Sequence, residues 1–444
     1  MESPGRVRIT LKEWQRCGPT DAEQGSLLSG LYLGVDPAVR GMADRMARIG
    51  ALTITEVREG LHIAAGSFVG RLAVGPLDVT IVPKIAWDRW LTIFGYALGL
   101  GHLDRSERSA MPLGPSSLRD ILLQELVGEA GRLIARGLHR DYVPRHGRLG
   151  VPKGRMDFRR LALQGGITDA TIPCRYTRRS DDTKLNRLLL AGLFQGARVS
   201  HDAGLRSAAH RRALDLEARR VVRQELSNVL IRSATASLDR RTGSYVPLCR
   251  LIEVLYEGDG ITLDDVEEAA PVRLPGFALD MNRLWQRLLT RVLAEWSGGV
   301  NVLPEFRLNH LFVRDEAFAP RPRAVPTPRP DFAVFRGGQL LGYLDAKYRD
   351  LWSESLPREM LYQVALYAAA QAAGPATMLY PTEDVAAAEE RFEMRDPVST
   401  RTRASVALRP VHLSTLESLI TDKPGSARER NRQRFAASLL GVPG

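Results

Sequence analysis

Three charged residues interrupt an otherwise apolar stretch of the sequence, RPDFAVFRGGQLLGYLDAKY, which spans residues 329–348. Two short apolar segments surround a Gly-Gly pair, and this pattern predicts a β-hairpin. Asp331 lies before the first segment, and Asp345 and Lys347 lie at the end of the second. Charged side chains in a core hairpin are costly unless they have partners or bind a metal. These three residues are therefore the first candidates for chemistry.

A turn at the Gly-Gly pair brings the three residues to the same end of the hairpin. It places Asp331 opposite Leu344 and Asp345. Side chains alternate along a strand with a period of two, so Asp345 and Lys347 point to the same side. We expect two carboxylates and one ammonium to converge at this end.

This grouping suits metal-assisted hydrolysis of a phosphodiester. Mg²⁺ prefers oxygen ligands and keeps several waters, so Asp331, Asp345 and the carbonyl of Ala346 would supply ligands. Lys347 would orient or deprotonate the attacking water and neutralise developing charge. The alternative is a structural Asp–Lys ion pair at a strand end, and the pattern alone is compatible with both.

The charge balance of the chain favours a polyanionic partner. It has 62 Lys and Arg against 51 Asp and Glu in 444 residues, a formal net charge of +11, which favours nucleic acid first. Only six of the basic residues are lysines, and Lys347 is the only lysine between Lys184 and Lys423. Since arginine supplies nearly all other positive charges, a lysine at this strand end favours chemistry that needs an ammonium.

Several classes of protein are excluded by what the sequence lacks. Cys17, Cys174 and Cys249 are far apart and odd in number, so neither a disulfide framework nor a zinc site is indicated. No run of about 18 apolar residues occurs, and we expect a soluble cytoplasmic protein that does not contact a membrane. No GxxxxGK[ST] motif occurs, so the chain should not hydrolyse nucleotide alone.

The elements that position the hairpin predict an α/β multidomain protein of two or three domains. Residues 1–110 form a β-rich N-terminal domain, in which residues 61–85 alternate between apolar and polar. Residues 111–268 form a helical middle region with a basic hairpin or loop. Residues 269–444 follow the order α-β-β-β-α-β, which is typical of a mixed sheet flanked by helices. Its first helix carries one apolar stripe, namely Met281, Leu284, Trp285, Leu288, Leu289, Val292 and Trp296.

Basic residues outside the hairpin allow two interpretations. Arg145, Arg148, Lys153 and Arg155 lie in a basic, glycine-bearing segment. They would contact DNA phosphates or an acidic partner surface, or else form a solvated loop. Lys84, in the segment VPKI, would either contact a partner or lie at the end of a strand.

The sequence resembles a known family of nucleases. Pro330-Asp331 followed by Asp345-Ala346-Lys347 resembles the PD-(D/E)XK nuclease motif. Further segments occur in a matching order: FVG and VTIVPKI (68–85), GLHRDYV (137–143), GRMDF (154–158), RYTRRSDDTKLNRLLLAGL (175–193), LDAKY (344–348) and LYQVALYA (361–368). Together they resemble the McrC family, the nuclease subunit of McrBC-type restriction systems, which act on DNA containing 5-methylcytosine. The resemblance covers most of the chain.

The resemblance implies a function and a partner. It implies a C-terminal PD-(D/E)XK domain that cuts double-stranded DNA with Mg²⁺, as in a type IV or type II-like restriction endonuclease for defence against phage. The N-terminal part and middle region would dock on an McrB-like hexamer of an AAA+ GTPase and stimulate it. GTP would be bound by that partner and not by this chain.

The resemblance also implies roles for individual residues. Asp331, Asp345 and Lys347 carry over as catalytic. From the helix after the hairpin, Gln363 carries over as catalytic, and Tyr367 and Glu359 lie on the same stripe and could face the site. The alternative is that Tyr367 lies in the core and Glu359 is solvated, and for Glu359 we favour this alternative.

The chain departs from the family at one position. The first nuclease helix of the family often has a glutamate after an aromatic residue, and here Trp285 is followed by Gln286. An amide binds a metal more weakly than a carboxylate. The sequence therefore does not decide whether the site binds a second metal or has full activity.

Two other functions remain as alternatives. One is a catalytically weakened, DNA-binding adaptor that activates the GTPase, which Gln286 favours and the intact Asp331, Asp345 and Lys347 oppose. The other is a stand-alone repair nuclease, which the long N-terminal half opposes because it carries no catalytic signal.

Overall fold

A computed structural model gives the fold of the chain. It describes residues 6–99, 118–163, 165–167, 169–200, 202–261, 272–273, 276–318, 321, 324–372 and 374–441. The predicted domain boundaries at 110–111 and 268–269 lie outside the described residues. Among the helices of the described segments, none combines the length and apolar character that crossing a bilayer requires.

The bounds of the elements are as follows. The strands are β1 (Val7–Lys12), β2 (Arg16–Cys17), β3 (Leu52–Val57), β4 (Gly60–Ala65), β5 (Phe68–Val74), β6 (Leu77–Val82), β7 (Asp141–Leu149), β8 (Arg155–Met156), β9 (Ile172–Ser180), β10 (Gly260–Ile261), β11 (Val272–Arg273), β12 (Gly276–Asp280), β13 (Asn301–Pro304), β14 (Phe332–Arg336), β15 (Gln339–Ala346), β16 (Pro375–Thr382), β17 (Glu390–Arg395) and β18 (Thr402–His412). The helices are α1 (Pro37–Arg48), α2 (Trp87–Leu98), α3 (Leu118–Arg136), α4 (Phe158–Leu163), α5 (Lys184–Val199), α6 (Ala203–Ala218), α7 (Asn228–Thr235), α8 (Val246–Asp259), α9 (Met281–Trp296), α10 (Arg358–Ala369), α11 (Leu413–Thr421) and α12 (Ser426–Leu440).

The chain forms two compact units. The first unit combines Met1–Pro115 with Leu274–Gly444, and the second is Ser116–Arg273. The ends of the chain share one unit because β12 pairs antiparallel with β5, from Gly276 opposite Leu72 to Asp280 opposite Phe68. The division into three domains stays a prediction, and the middle region is a compact unit of its own.

The N-terminal part of the first unit contains two small sheets. One has the strand order β1-β6-β5-β12, in which β1 and β6 are parallel, and the other has the order β2-β4-β3. The alternating residues 61–85 thus form strands of both sheets, since β4 joins the second while β5 and β6 form a hairpin in the first. The buried side chains of α2 include Trp90 and Phe94, and α2 packs on α9.

The C-terminal part of the first unit is a six-stranded mixed sheet flanked by helices, as predicted. Its order is β13-β14-β15-β16-β18-β17, and β15, β16 and β18 run parallel. The hairpin of β14 and β15 turns at Gly337 and Gly338, whose φ angles of 58° and 83° fit a two-residue turn that needs positive φ at both positions. Arg336 lies opposite Gln339, and a β-bulge between Val334 and Phe335 shifts the register by one residue, so that Phe332 lies opposite Leu344. The pairing therefore agrees with the prediction that Asp331 lies near Leu344 and Asp345.

Helix α9 confirms its predicted apolar stripe. All seven stripe residues are buried, together with Leu293. The side chain of Asp280 accepts a hydrogen bond from the backbone N–H of Asn282 at 2.9 Å and so caps the first turn. The exposed fraction of Trp285 is 0%, so α9 is anchored by its aromatic side chains.

The second unit combines helices with a three-stranded antiparallel sheet. Helix α3 ends before Gly137, whose φ of 105° suits a glycine after a helix. The side chain of Thr183 caps α5 by accepting a hydrogen bond from the N–H of Asn186. The predicted basic segment forms β7 and β8, and both pair with β9.

The pairing of β5 with β12 leaves no room for a side chain at Gly70. Its φ is +147°, and a Cβ there would lie 2.1 Å from the carbonyl oxygen of Phe277. We expect Gly70→Ala to lower the free energy of unfolding by more than about 3 kcal/mol, measured by urea denaturation. Gly50→Ala is the matched control, because Gly50 has φ +70° with no described atom within 4 Å, and it should cost only about 1 kcal/mol. If both variants lowered the free energy of unfolding equally, the close contact between Gly70 and the carbonyl of Phe277 would not be the cause.

Candidate active site

The two aspartates lie side by side at one end of the hairpin. Asp331 directly precedes β14, and Asp345 is the penultimate residue of β15. In the observed register Phe332 lies opposite Leu344, and extending it by one residue places Asp331 opposite Asp345. The Asp345 side chain is only 2% exposed. The convergence predicted from the alternation of side chains is therefore present.

Asp331 is held by two different elements. Its Oδ2 accepts a hydrogen bond from the backbone N–H of Ala346 at 2.6 Å. Its Oδ1 accepts a hydrogen bond from Nε2 of Gln286 at 2.9 Å. Strand β15 and helix α9 thus fix both oxygens, and Gln286 lies at the site although it carries no charge.

Lys347 connects the carboxylates to α10. Its Nζ lies 2.9 Å from Oδ2 of Asp345 and donates a hydrogen bond to Oε1 of Gln363 at 3.2 Å. The Nε2 of Gln363 in turn donates to the hydroxyl of Tyr367 at 2.9 Å. Lys347, Gln363 and Tyr367 therefore reach the site, whereas Glu359 is an exposed residue of α10 and forms no hydrogen bond with these residues.

Burial and mutual repulsion favour the neutral form of the aspartates. Burial, followed by the charge of Asp345, raises the pKa of Asp331 to about 7, against the opposing effects of the Ala346 N–H and Lys347. Burial also raises the pKa of Asp345, although Lys347 lowers it. One ammonium therefore offsets two carboxylates only in part, and an added cation would stabilise the charged pair.

The oxygen atoms present fit a hard divalent cation. Oδ2 of Asp345 is buried, and among the described residues it has no hydrogen-bond donor other than Lys347, whose Nζ lies 2.9 Å away. Extending the hairpin register by two residues places Pro330 opposite Ala346. Since proline has no N–H, it leaves the Ala346 carbonyl without a donor from that residue.

The number of acidic ligands is small. Within the described segments, no three acidic, histidine or cysteine side chains come close enough to bind a metal together. Two carboxylates and a carbonyl suit Mg²⁺, which keeps several waters as ligands. They do not suit a cation that needs a complete protein cage.

One residue near the site was missed from the sequence. Glu305 follows β13, and its backbone N–H donates to the carbonyl of Asp331 at 2.7 Å. Its charge contributes to the raised pKa of Asp331, and its φ is +50°. Nothing in the local sequence indicates this position, because only the pairing of β13 with β14 brings it next to Asp331.

The predicted basic residues lie in the second unit and not at this site. Arg145 and Arg148 are in β7 and Arg155 is in β8, while Nζ of Lys153 lies 5.6 Å from the ring centroid of Tyr176. Arg148 forms an ion pair with Asp169. Strand β9 adds three arginines that the sequence did not single out, namely Arg175, Arg178 and Arg179.

Lys84 and the three cysteines are buried. Lys84 follows β6, and its Nζ is buried 4.7 Å from the ring centroid of Tyr348. This position agrees with the strand-end interpretation and not with an exposed contact. Cys17, Cys174 and Cys249 are buried free thiols.

The comparisons with known proteins give the family and support the fold. Residues 63–381 match the family described as McrBC 5-methylcytosine restriction system component. Among solved structures, the chain is similar to one in a half-complex from a tetradecameric assembly of Thermococcus gammatolerans McrB AAA+ hexamers with bound McrC. That match has a TM-score of 0.54 and 17% identity, and it covers 98% of this chain and 100% of the other.

A second match has a lower score. It is to a chain in a cryo-EM structure of the Thermococcus gammatolerans McrBC complex, with a TM-score of 0.43 and 16% identity, covering 65% of this chain and 87% of that one. No curated protein matches the chain. The first match supports the predicted fold class for the whole chain.

The raised pKa of Asp331 predicts how stability depends on pH. In the unfolded chain Asp331 loses its proton near its ordinary pKa of about 4, whereas in the folded protein it keeps the proton up to a pKa of about 7. Without divalent cations, the folded state should therefore lose stability as the pH rises through this window. Asp331→Asn should be more stable than the wild type at pH 8 by on the order of 2–4 kcal/mol, and this difference should shrink towards pH 4.

The measurement is urea denaturation between pH 4 and pH 8 with a chelator. Asp44→Asn is the matched control, because Asp44 is an exposed residue of α1. A constant difference between Asp331→Asn and the wild type at every pH would contradict the prediction.

Proposed function

This chain belongs to the McrBC family of 5-methylcytosine restriction system components, and from that premise we propose that it is the subunit that cuts double-stranded DNA. The observation that carries the proposal is the pair of neighbouring carboxylates, the buried Asp345 and the half-buried Asp331, beside the ammonium of Lys347. A structural ion pair would need one carboxylate, and the second one raises the cost of burial. Two carboxylates suit the binding of Mg²⁺ next to a phosphodiester.

The proposed chemistry divides between the cation and the side chains. Mg²⁺ held by Asp331, Asp345 and the Ala346 carbonyl would lower the pKa of a water and offset charge on the phosphate. Lys347 orients the attacking water or accepts its proton, and as an ammonium it neutralises charge that develops on the phosphate oxygens. Gln363 accepts a hydrogen bond from the lysine and thereby fixes the direction of Nζ.

We propose an McrB-like AAA+ GTPase hexamer as the partner. The support is the structural similarity to a chain from the Thermococcus gammatolerans assembly of McrB AAA+ hexamers with bound McrC. The chain has no phosphate-binding loop of its own, so GTP would be bound and hydrolysed by the partner, with this chain as the activator. We place the complex in the cytoplasm, where it meets incoming DNA.

The arginine-rich sheet of the second unit is our candidate for docking. Arg155 lies directly opposite Arg175 in the pairing of β8 with β9, and like charges in that position destabilise a sheet. The neighbouring Tyr142, with 61% exposure, lies under the guanidinium of Arg179. A surface of this kind fits an acidic protein surface or a phosphate backbone.

A specific observation favours a second candidate function. Gln286 donates a hydrogen bond to Asp331 at the position where the family often has a glutamate. The site would then have two carboxylates in place of three and bind Mg²⁺ more weakly. In this alternative the chain is a DNA-binding adaptor and GTPase activator with weakened cleavage.

Cleavage of methylated plasmid by the chain with its partner, GTP and Mg²⁺ tests the proposal. We expect Asp345→Ala to lower the cleavage rate by at least about a thousandfold, because it removes a metal ligand and the ion-pair partner of Lys347. GTP turnover by the partner should stay stimulated, since the variant leaves the second unit unchanged. Glu359→Gln is the matched control, because Glu359 is an exposed carboxylate on α10, and it should cut like the wild type.

The result separates the candidate functions. Cutting that persists in Asp345→Ala would exclude the hairpin as the nuclease centre. Stimulated GTP turnover without any cutting by the wild type would favour the adaptor, and no stimulation at saturating concentration would exclude the activator role.

Replacing the amide of α9 by a carboxylate tests the metal ligands directly. We expect Gln286→Glu to raise the affinity for Mg²⁺ by about tenfold or more, because a third carboxylate joins Asp331 and Asp345. Calorimetric titration of the chain with Mg²⁺ measures this without DNA or GTP. Gln286→Leu removes the amide without adding charge and is the control, which should bind no more tightly than the wild type. An unchanged affinity in Gln286→Glu would show that α9 supplies no ligand position.

A further inference from the structure

A second cluster of buried polar groups lies next to the candidate active site, and nothing in the proposed chemistry uses it. We call it the Glu13 cluster, and it consists of Glu13, Lys84 and Tyr348. Glu13 follows β1 and Lys84 follows the neighbouring parallel strand β6, so both belong to the N-terminal sheet. Tyr348 is the residue directly after Lys347.

The three side chains meet at one carboxylate oxygen and one aromatic ring. Oε2 of Glu13 accepts a hydrogen bond from the backbone N–H of Lys84 at 2.8 Å and from the hydroxyl of Tyr348 at 3.3 Å. Nζ of Lys84 lies 4.7 Å from the centroid of the Tyr348 ring, a distance at which a cation attracts the face of an aromatic ring. Tyr348 is 1% exposed and Glu13 is 5% exposed.

The Glu13 cluster places polar groups in the core at a cost in stability. Oε1 of Glu13 and Nζ of Lys84 are buried and have no hydrogen-bond partner among the described residues. Burial raises the pKa of Glu13 to about 7 and lowers the pKa of Lys84, so both charged forms are disfavoured. Apolar side chains of similar volume often stabilise a protein as well as or better than such a pair. The pair therefore points to a requirement for geometry and not for stability.

The ring of Tyr348 contacts the elements that hold the catalytic side chains. Its centroid lies 6.2 Å from that of Trp285, which directly precedes Gln286, the donor to Asp331. The indole N–H of Trp285 and the backbone N–H of Lys347 both donate to the carbonyl of Leu379, at 3.4 Å and 2.9 Å. Tyr348 also lies 6.3 Å from Phe94 of α2 by ring centroids. A shift of Tyr348 would therefore be transmitted both to Lys347 and to the helix that carries Gln286.

We propose that Tyr348 is a positioning residue for Lys347, and that Glu13 and Lys84 of the N-terminal sheet fix Tyr348 in its orientation. The inference rests on the proposed function of Lys347 in DNA cleavage. Ammonium chemistry at a phosphate depends on placement, and a misplacement of about 1 Å can lower a rate by about a hundredfold. The N-terminal sheet is then part of the nuclease centre, although it contributes no residue that touches DNA there.

The main test is the double variant Glu13→Leu/Lys84→Met in the full chain with its partner. It replaces both side chains by apolar ones of similar size. Because the Lys84 N–H and the Tyr348 hydroxyl lose their acceptor, the melting temperature should fall, and cleavage is measured at a temperature at which wild type and variant are both folded. We expect kcat for DNA cleavage to fall by about tenfold or more, with KM for DNA and partner GTP turnover unchanged. Tyr348→Phe, which removes only the hydroxyl, should lower kcat in the same direction, and Glu13→Gln, which keeps an acceptor for that hydroxyl, should restore most of the rate.

Hydrogen exchange measured by mass spectrometry gives a readout that does not depend on cleavage. Peptides covering residues 346–349 should exchange faster in the double variant and in Tyr348→Phe than in the wild type. Tyr343→Phe is the matched control, because Tyr343 is a buried tyrosine of β15, the strand that ends at Ala346, and its ring packs on Phe306. This variant should leave exchange at residues 346–349 and kcat unchanged.

The possible results decide between a positioning and a merely structural role. A lower kcat together with faster exchange at residues 346–349 supports the proposal. Unchanged exchange at these residues overturns it, and so does an unchanged kcat in the double variant. If the wild type cuts no DNA, the proposed function fails, and the exchange data alone then show whether the Glu13 cluster fixes the Lys347 segment.

Discussion

The repulsion between two neighbouring carboxylates, the buried Asp345 and the half-buried Asp331, constrains the elements around them. Asp331 and Asp345 have one ammonium between them, and burial raises the pKa of both. The strands and helices around them supply what compensation there is, through the N–H of Ala346, the amide of Gln286 and the ammonium of Lys347. A strand end is suited to this arrangement, because the ladder stops there and leaves backbone groups free to bind side chains and ligands.

The parts of this site that could be predicted from the sequence depend on local rules. The alternation of side chains along β15 places Asp345 and Lys347 on one side, and the turn at Gly337 and Gly338 limits the residues that face Asp331 to Leu344 and Asp345. The apolar stripe of α9 follows from the helical period and identifies its buried face. In each case a handful of neighbouring residues contains the whole signal, so the sequence is sufficient.

The features that the sequence did not reveal depend on contacts between distant residues. β12 pairs with β5 across some 200 residues, and no local pattern specifies that partner. Strand β17 is exposed along its whole length and has charged residues at four of six positions, so it lacks the alternation that identifies a strand. Glu305 and the arginines of β9 became visible only through strand pairing. Local periodicity thus predicts elements, while long-range pairing assembles the site from them.

The same repulsion between carboxylates explains why an amide at position 286 of α9 favours the stability of the site. A carboxylate at position 286 would add a third negative charge beside Asp331, whose Oδ1 already lies 2.9 Å from Nε2 of that side chain. Without a cation, such a group would raise the pKa of its neighbours further or destabilise the fold. Gln286 instead donates a hydrogen bond and stabilises the charged form of Asp331. The chain therefore gains stability in the metal-free state. Under the proposed function this gain is opposed by weaker binding of Mg²⁺, as stability and activity are often opposed at a functional site.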